Sequence, residues 1–333
     1  MNTNTKPKRT VRIYACGGLG LNIGRMVENL GNSDDIAMAR IHVSYIDTSK
    51  SNVKTQLNDD KTYFFKDMDG AGQQREKHHA KIVASVPAIL DKFPPQDFNI
   101  FLSGTDGGSG SVLGPELMFE LMRRDKNVVA ITAASNDSLT RIQNTIKTVR
   151  SYNGIAQVRE KPAVVAYFEN SERTPRDAVD EAIFKLIGAL CVLFSGQNIE
   201  LDSQDLANFL NFTALKSVNQ KPRLVQLSLI EGMDELKNIG KPISVATLAT
   251  ETSGTSLSAL PAFQAVGYLP DGADDLLKTN APVHFVTSTG CFNRVVTDLE
   301  RILVQNNNDA QAEGDDDMDA LSSDSTTANG IDL

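Results

Sequence analysis

The chain has little of what would staple it, anchor it or fasten it to phosphate backbones. Its 333 residues hold three cysteines, Cys16, Cys191 and Cys291, none in CxxC spacing. That argues against a disulfide framework or a zinc ribbon and suits a reducing cytoplasm. The longest apolar run, Ala182 to Phe194, has 13 residues and contains Lys185, too short for a membrane span. Met1 to Thr10 is basic without an apolar stretch, so no signal peptide is read. Basic excess is missing too. The formal net charge is -9, and eight of the acids lie between Gln305 and Leu333, where there is no Lys or Arg. Setting those eight aside leaves 34 acidic against 33 basic residues, a balance that speaks against nucleic-acid binding.

What is present is a core-forming chain, 41% hydrophobic and 23% charged, long enough for two ordinary domains or one domain and a tail. Its first third alternates as a parallel α/β sheet demands. Strands are expected at Val11–Cys16, Ile41–Ile46, Asn99–Leu102, Asn127–Ala133 and Ala163–Phe168. Helices are expected at about Gly24–Leu30 and Val112–Arg124, with another ending near Tyr152. Asp177–Phe194 reads as a long helix apolar nearly all round, the pattern of an element buried between two halves. A second set of strands follows at Arg223–Leu229, Ile243–Ala249 and Val283–Thr287, then a helix over Phe292–Val304. Residues 305–333 are too polar to offset their ordering entropy and read as a disordered acidic tail.

Two glycine-rich segments follow strands. Gly17-Gly18-Leu19-Gly20-Leu21-Asn22-Ile23-Gly24 opens a helix, where glycine brings backbone N–H groups against an anion at the positive helix end. With Asp47 ending the next strand, Gly18, Gly20 and Gly24 also suit a dinucleotide fold, the acid binding ribose hydroxyls. The second segment, Ser103-Gly104-Thr105-Asp106-Gly107-Gly108-Ser109-Gly110-Ser111, forms a further nest of donors able to wrap a di- or triphosphate. Two such loops, with no GxxxxGK[ST] lysine, point to a nucleotide held mainly by backbone amides. A dinucleotide enzyme would leave Gly107–Ser111 without a role.

Asp106-Gly107-Gly108-Ser109-Gly110-Ser111-Val112 resembles GGGTG[ST]G, the signature of the tubulin/FtsZ superfamily, changed at its first, fourth and last positions. Pro115 falls where the bacterial division protein FtsZ has its proline. Gly17, Gly18, Gly20 and Asn22 look like that family's first loop. Gly70-Ala71-Gly72 is similar to its γ-phosphate loop, and Asn136 to Arg141, with Ser138, to its ribose-contacting loop. Glu200-Leu201-Asp202-Ser203-Gln204-Asp205 keeps both aspartates of the family's NxDxxD element, with glutamate for asparagine. The short chain, imperfect signature and acidic tail look most like the phage-encoded tubulins of large, nucleus-forming bacteriophages.

The resemblance implies a Rossmann-like GTPase domain at 11–176 after a flexible start at 1–10. It further implies a central helix and catalytic loop at 177–222, a smaller mixed α/β activation domain at 223–304, and the tail at 305–333. It implies GTP/GDP and Mg²⁺ as ligands, with Asp180 and Asn170 on guanine, and Arg176 where FtsZ has an aromatic. Asp202 and Asp205 would act on the γ-phosphate of the adjacent subunit in a head-to-tail homopolymer, with the tail docking on a neighbour. Without the resemblance, Asp202 reads equally well as a helix cap. The implied setting is the host cytoplasm, in a filament array positioning viral DNA or its compartment. A segregation tubulin with a DNA-bound adaptor is the second cytoskeletal candidate. Neither membrane nor direct nucleic-acid contact is expected, and His42, His78, His79, His284 and Asp315–Asp317 form no metal-ligating pattern.

Overall fold

A computed structural model describes residues 7–30, 37–51, 58–66, 68–216, 218–231, 235, 239–250, 260–270 and 282–323, with backbone alone from 309 onward. The strands are β1 (Thr10–Cys16), β2 (Arg40–Asp47), β3 (Thr62–Phe64), β4 (Phe98–Gly104), β5 (Val128–Ser135), β6 (Ala163–Asn170), β7 (Leu224–Ile230), β8 (Pro242–Ala249), β9 (Phe263–Tyr268) and β10 (Val283–Ser288). The helices are α1 (Gly17–Leu30), α2 (Arg75–Lys92), α3 (Gly110–Arg123), α4 (Leu139–Arg159), α5 (Arg176–Leu193), α6 (Ser203–Leu210) and α7 (Cys291–Ser323). All strands join one sheet in the order β3-β2-β1-β4-β5-β6-β7-β10-β8-β9. The first seven in that order run parallel, and β10 is antiparallel to both of its neighbours.

The parallel part is buried on both faces, as βαβ crossovers require. Alternation along β1 sends Val11, Ile13 and Ala15 into a core with Leu21, Ile23 and Val27 of α1 and Ile183, Leu186 and Ile187 of α5. Tyr14 faces the other way, its ring 5.1 Å from Phe101 and its hydroxyl donating to the Phe93 carbonyl just after α2. The expected central helix is there as α5. Its last turn, Ala189 to Leu193, is wholly buried, while Glu181, Ala182 and Lys185 are exposed.

Strands β3 and β9 were not expected from the pattern: β3 has three residues, and the buried positions of β9 are the small Ala265 and Gly267, which give no apolar alternation. Two helices run longer than expected. α4 passes Tyr152 to Arg159 and stops where Glu160 turns left-handed at φ 52°. α7 continues past Val304 to Ser323, through Ala310, Gln311, Ala312 and Glu313, all good helix formers. From Asn293 onward it forms a compact unit separate from Met1–Phe292. The tail's last residues, 324–333, lie outside the described residues.

The glycines of α1 are part of the helix, not a loop before it. A Cβ on Gly20 would lie 2.5 Å from the Ala15 carbonyl carbon and 2.6 Å from the Leu102 oxygen. One on Gly24 would meet Ala15 Cβ at 2.9 Å. Both positions seat α1 on the sheet. Gly20→Ala gains about 1 kcal/mol of helix propensity but drives a methyl into backbone, and overpacking costs of about 3 kcal/mol win. Gly154, inside α4, has nothing within 4 Å of its would-be Cβ. Chemical denaturation is expected to show Gly20→Ala destabilised by about 2 kcal/mol and Gly154→Ala stabilised by up to about 1 kcal/mol. Equal effects would refute the packing assignment.

His284 sits in the middle of the mixed region, 3% exposed, with Nδ1 2.8 Å from Thr247 Oγ1. Burial holds its pKa below the ordinary histidine value, so the unfolded chain binds the proton first as pH falls. The stability it confers is complete above the unfolded pKa, near 6.5, and is lost as pH drops toward the folded value. His42 is lowered as well, by burial and then by Arg12, Lys61 and Arg40. Melting temperature should therefore fall between pH 7 and 5, and fall less steeply in His284→Gln. An unchanged slope would remove His284 from the titration.

Candidate functional site

A cleft of about 800 Å³ opens at the carboxyl ends of the parallel strands. It straddles the point where strand order reverses, with β2 on one side of β1 and β4 on the other, the place where open α/β sheets bind ligands. Its floor is built by two helix starts. Gly17, at φ 68°, lets α1 begin directly from β1, and its would-be Cβ is 3.4 Å from the Gly110 nitrogen that opens α3. Neither helix has an acid in its first turn, and Ser109, the N-cap of α3, makes no side-chain cap bond. Two helix N-termini without an acid in their first turns, each carrying partial positive charge, thus meet at one spot, an arrangement suited to phosphates.

Gly17, Gly18, Asn22, Gly107, Gly108, Ser109 and Gly110 line this floor. Gly108 is also where the loop Asp69–Gln73 closes over it. A Cβ there would lie 2.5 Å from Ala71 Cβ and 3.1 Å from the Gln73 nitrogen, so only glycine admits the contact. Gly70, Ala71 and Gly72 line the same wall, and the Gly70 N–H donates to the Thr48 carbonyl at 3.0 Å. Asp47 lines the cleft but is 2% exposed, and its Oδ1 accepts from Thr48 N at 2.7 Å and Ser49 N at 3.4 Å. It organises the turn after β2, a use that competes with ribose binding.

The far end of the cleft lies four strands away, about 19 Å by strand spacing. Arg141, Asn170 and Arg176 line it. Asp106 is held there, accepting from Ser135 N at 3.1 Å and facing Arg141 Nη1 at 3.3 Å; burial nevertheless raises its pKa against the arginine's pull. Asn170 Nδ2 donates to Ser135 Oγ at 3.1 Å, leaving Oδ1 buried and unpartnered. Asp180, one turn beyond Arg176 on α5, keeps Oδ1 buried and unpartnered while Oδ2 lies 3.8 Å from Arg176 Nε. Burial raises its pKa, with Arg176 opposing. The orphaned Asn170 acceptor at this end of the cleft calls for a ligand with hydrogen-bond donors, while Asp180 lies behind Arg176, outside the lining.

Several expected contacts fall elsewhere. Gly20 packs α1 against the sheet. Ser111 is buried in the first turn of α3 and donates to the Gly108 carbonyl at 3.4 Å. Ser138 caps α4, accepting from Arg141 N. None of these three lines the cleft, nor does Asp180. Conversely Thr48, Ser49, Ser51, Asp69, Gln73 and Ser135 do. The hydroxyl-rich run Thr48-Ser49-Lys50-Ser51, directly after a strand, was a legible signal; Gln73 gave none. Among the described residues no group of three His, Cys, Asp or Glu could hold a metal, and no helix is long and apolar enough to cross a membrane.

Asp202 and Asp205 stand apart from the cleft. They form a capping box on α6. Asp202 Oδ1 accepts from Gln204 N at 2.7 Å and Asp205 N at 2.9 Å, and Asp205 Oδ2 accepts from Asp202 N at 3.1 Å. Those backbone N–H groups, Asp205's first, hold the Asp202 carboxyl below its usual pKa. The segment is fixed from below. Ile199 exchanges both backbone bonds with Tyr268, and Leu201 packs where Gly267 leaves no room for a Cβ. Glu200, at the asparagine position of the element it resembles, has φ 61°, a conformation asparagine tolerates better.

The location of this box is set by two independent rulers. Gln204 and Asn208 share a small pocket with Asn127, Val128 and Pro162, at the amino ends of β5 and β6, whereas the cleft is lined from their carboxyl ends. The eight residues of β5 span about 25 Å. Likewise α5 starts at the cleft with Arg176, and Ser195 beyond its end accepts from Arg9 N, next to the amino end of β1. Its 18 residues cover about 27 Å. Cleft and capping box are at opposite ends of the sheet.

Residues 201–290 match the family model described as the phage tubulin-like protein, C-terminal domain. The chain is 32% identical to the phage tubulin-like protein of Pseudomonas phage PhiPA3 over 284 residues, 85% of each chain. It is 31% identical over 256 residues to that of Pseudomonas phage phiKZ, covering 73% of this chain and 75% of the other. Among solved structures, a protofilament of TubZ from bacteriophage PhiKZ superposes with a TM-score of 0.79 at 30% identity, covering 90% of this chain and 92% of that one. The phage tubulin PhuZ with GDP gives 0.77 at 25% identity, covering 97% and 95%. The floor of two helix starts, the long α5 and the aspartate pair at the far end of the sheet thus occur in a chain that belongs to the phage tubulin-like proteins of the tubulin/FtsZ superfamily.

Proposed function

We propose that this protein is a GTPase that assembles into filaments head to tail, each cleft being completed by Asp202 and Asp205 of the next subunit. The observation that carries this is the separation just described: a nucleotide-sized cleft at one end and an exposed aspartate pair at the other. One subunit cannot bring them together. A translation along the strand direction can, and repeating it gives an open polymer. The solved PhiKZ TubZ protofilament supports this mode of self-association, and the GDP of the PhuZ structure supports the ligand.

In this reading guanine sits at the β6 end, where the orphaned Asn170 oxygen meets its N–H edge, with Arg176, backed by Asp180, beside the base. Arg141 lies toward the ribose. The phosphates lie over Gly17, Gly18 and Gly107–Gly110, and the terminal one reaches Gly70–Gly72. The oxygens of Asp47, Asp69, Ser49, Ser51 and Ser109 are hard donors of the kind Mg²⁺ prefers, so a phosphate-bound ion fits here. Asp202 has both backbone bonds on Oδ1, which leaves Oδ2 for a water. Its lowered pKa makes it a weak base. It orients the attacking water and the charge of the γ-phosphate rather than storing a proton.

The acidic segment near the C-terminus would dock on a neighbouring subunit, and the filaments would position viral DNA or its compartment in the host cytoplasm, with or without an adaptor. The dinucleotide-enzyme alternative is weakened because Asp47, its ribose acid, is engaged by the turn it ends.

Light scattering and phosphate release, followed over a protein concentration series with GTP and Mg²⁺, should rise from one shared threshold. Turnover strictly proportional to concentration from zero would sink the shared-site idea. The dual use of Asp202 allows a cleaner test by substitution. Asparagine caps helices about as well as aspartate, whereas alanine costs about 1 kcal/mol. Asp202→Asn should therefore keep its melting temperature and its nucleotide affinity yet lose at least about tenfold in turnover. Wild-type turnover in Asp202→Asn would leave the residue as a cap alone.

A further inference from the structure

One face of α4 is polar where a helix packed on a sheet is ordinarily apolar. Arg141, Asn144, Thr145 and Thr148 follow at i, i+3, i+4 and i+7, the spacing of a single helix face. Three of them are buried: Asn144 is 3% exposed, Thr145 0% and Thr148 1%. The face is turned to the loops of the cleft. Arg141 meets Asp106, and Thr145 Oγ1 lies 3.2 Å from Thr105 Oγ1. Thr148 Oγ1 lies 3.0 Å from the Thr105 carbonyl and receives Arg75 Nη1 at 2.6 Å.

Asn144 occupies the centre and does something its neighbours do not. Its Nδ2 donates to the Asp106 carbonyl at 3.0 Å and to the Gln73 carbonyl at 2.9 Å. The first belongs to the loop over the phosphate floor, the second to the loop that closes the cleft at the end farthest from Asn170. Gln73 is held at φ 58°, a left-handed conformation that costs a non-glycine residue about 1 kcal/mol. The position therefore persists only because its surroundings fix it. Directly after it, Arg75 is buried and anchored to Thr148 and Ser151 at 2.6 and 2.8 Å. Nothing but glycine fits at Gly108, where the two loops touch. One amide thus clamps two loops across a contact with no slack.

We propose that Asn144 is a positioning residue that sets the loop Asp69–Gln73 in the shape that senses the terminal phosphate, so that it governs discrimination between nucleoside tri- and diphosphate. This rests on the guanine-nucleotide reading of the cleft. The loop is the wall opposite the base end, so the part of the ligand it meets is the last phosphate, which a diphosphate lacks. Freeing the Gln73 carbonyl lets the left-handed turn relax and withdraws the Ala71 and Gly72 N–H groups, the Gly70 N–H being held on the Thr48 carbonyl. The floor loop loses its bond at the Asp106 carbonyl as well, but Ser135 N still holds Asp106 Oδ2 and Thr105 N still donates to the Ala133 carbonyl. The floor made by Gly17, Gly18 and Gly107–Gly110, built on β1, β4 and two helix starts, therefore keeps its place.

The test uses the full chain below its assembly threshold, with mant-GDP as the probe displaced by GTPγS or by GDP. In Asn144→Ala the affinity ratio of GTPγS to GDP should fall by about tenfold, the size of one ordinary hydrogen bond, with GDP affinity held within about twofold. Thr145→Val is the matched control: it removes a buried polar contact on the same face without touching the loop, and its ratio should equal the wild type's. If Asn144→Ala does not fold, Asn144→Ser, whose hydroxyl can serve one carbonyl, should give a smaller fall in the same direction. Equal losses for both nucleotides, or an unchanged ratio, would overturn the proposal and leave Asn144 a structural residue. Wild-type protein that binds neither nucleotide would instead overturn the guanine-nucleotide reading, and the proposal with it.

Discussion

The constraint from which the rest of this structure follows is the meeting of two helix N-termini at the strand-order switch between β1 and β4. Helix ends leave N–H groups without partners, and a folded chain ordinarily covers them with a Ser, Asp or Asn side chain. Here α1 springs directly from its strand and α3 starts at Ser109 without a side-chain cap bond. The donors are thus left pointing at one place, and the molecule is arranged to keep that place open. Gly17 provides the turn, Gly20 and Gly24 bring α1 onto the sheet, and Gly108 admits the loop Asp69–Gln73. A Cβ at Gly20, Gly24 or Gly108 would lie 2.5 to 2.9 Å from its neighbours and displace a helix or a wall, while at Gly17 the left-handed φ is what excludes one.

The second consequence is directional. Parallel strands place all their carboxyl ends on one side, so a ligand site made from strand ends is necessarily one-sided. The helix α5 then carries the chain back to the amino side, where α6 and its aspartate pair are found. The apolar, all-round character belongs to the C-terminal turns of α5, which are enclosed by both the sheet and the segment that follows, whereas the turns before them keep Glu181, Ala182 and Lys185 exposed. A rigid rod about 27 Å long fixes the distance between cleft and aspartates, so neither can approach the other by local motion. The separation of cleft and aspartates is thereby a property of the topology and not of one loop.

Most of this was legible in the residues, with a clear boundary to what was not. Parallel strands declare themselves as apolar runs, and the glycine segments stand out because few other residues can take their backbone shapes. That made β1, β2, β4, β5 and β6 and both glycine segments lining the cleft visible. The role of Gly20 was misassigned because glycine for close packing and glycine for anion approach look the same in one dimension. The segment at Asp202 was ambiguous for a related reason, since a cap and a catalytic carboxylate need the same residue at the same spacing. The polar face of α4 was missed altogether. A stripe of Arg141, Asn144, Thr145 and Thr148 reads as a solvated surface until the fold shows that the loops of the cleft, and not water, supply its partners.

Asp202 shows why the two readings need not compete. A carboxylate that caps a helix is held in place by the backbone it serves, and the same N–H groups that fix it also keep it ionised. A group meant to orient a water needs those two properties and does not need high basicity. Using one oxygen for the cap and leaving the second for a neighbouring molecule yields a rigid, charged, exposed residue without a dedicated loop to hold it. Glu200 in a left-handed conformation and the backbone pair between Ile199 and Tyr268 then set the angle at which it is presented. On this view the cap is not an alternative to a functional role but the structural means by which a short segment can have one.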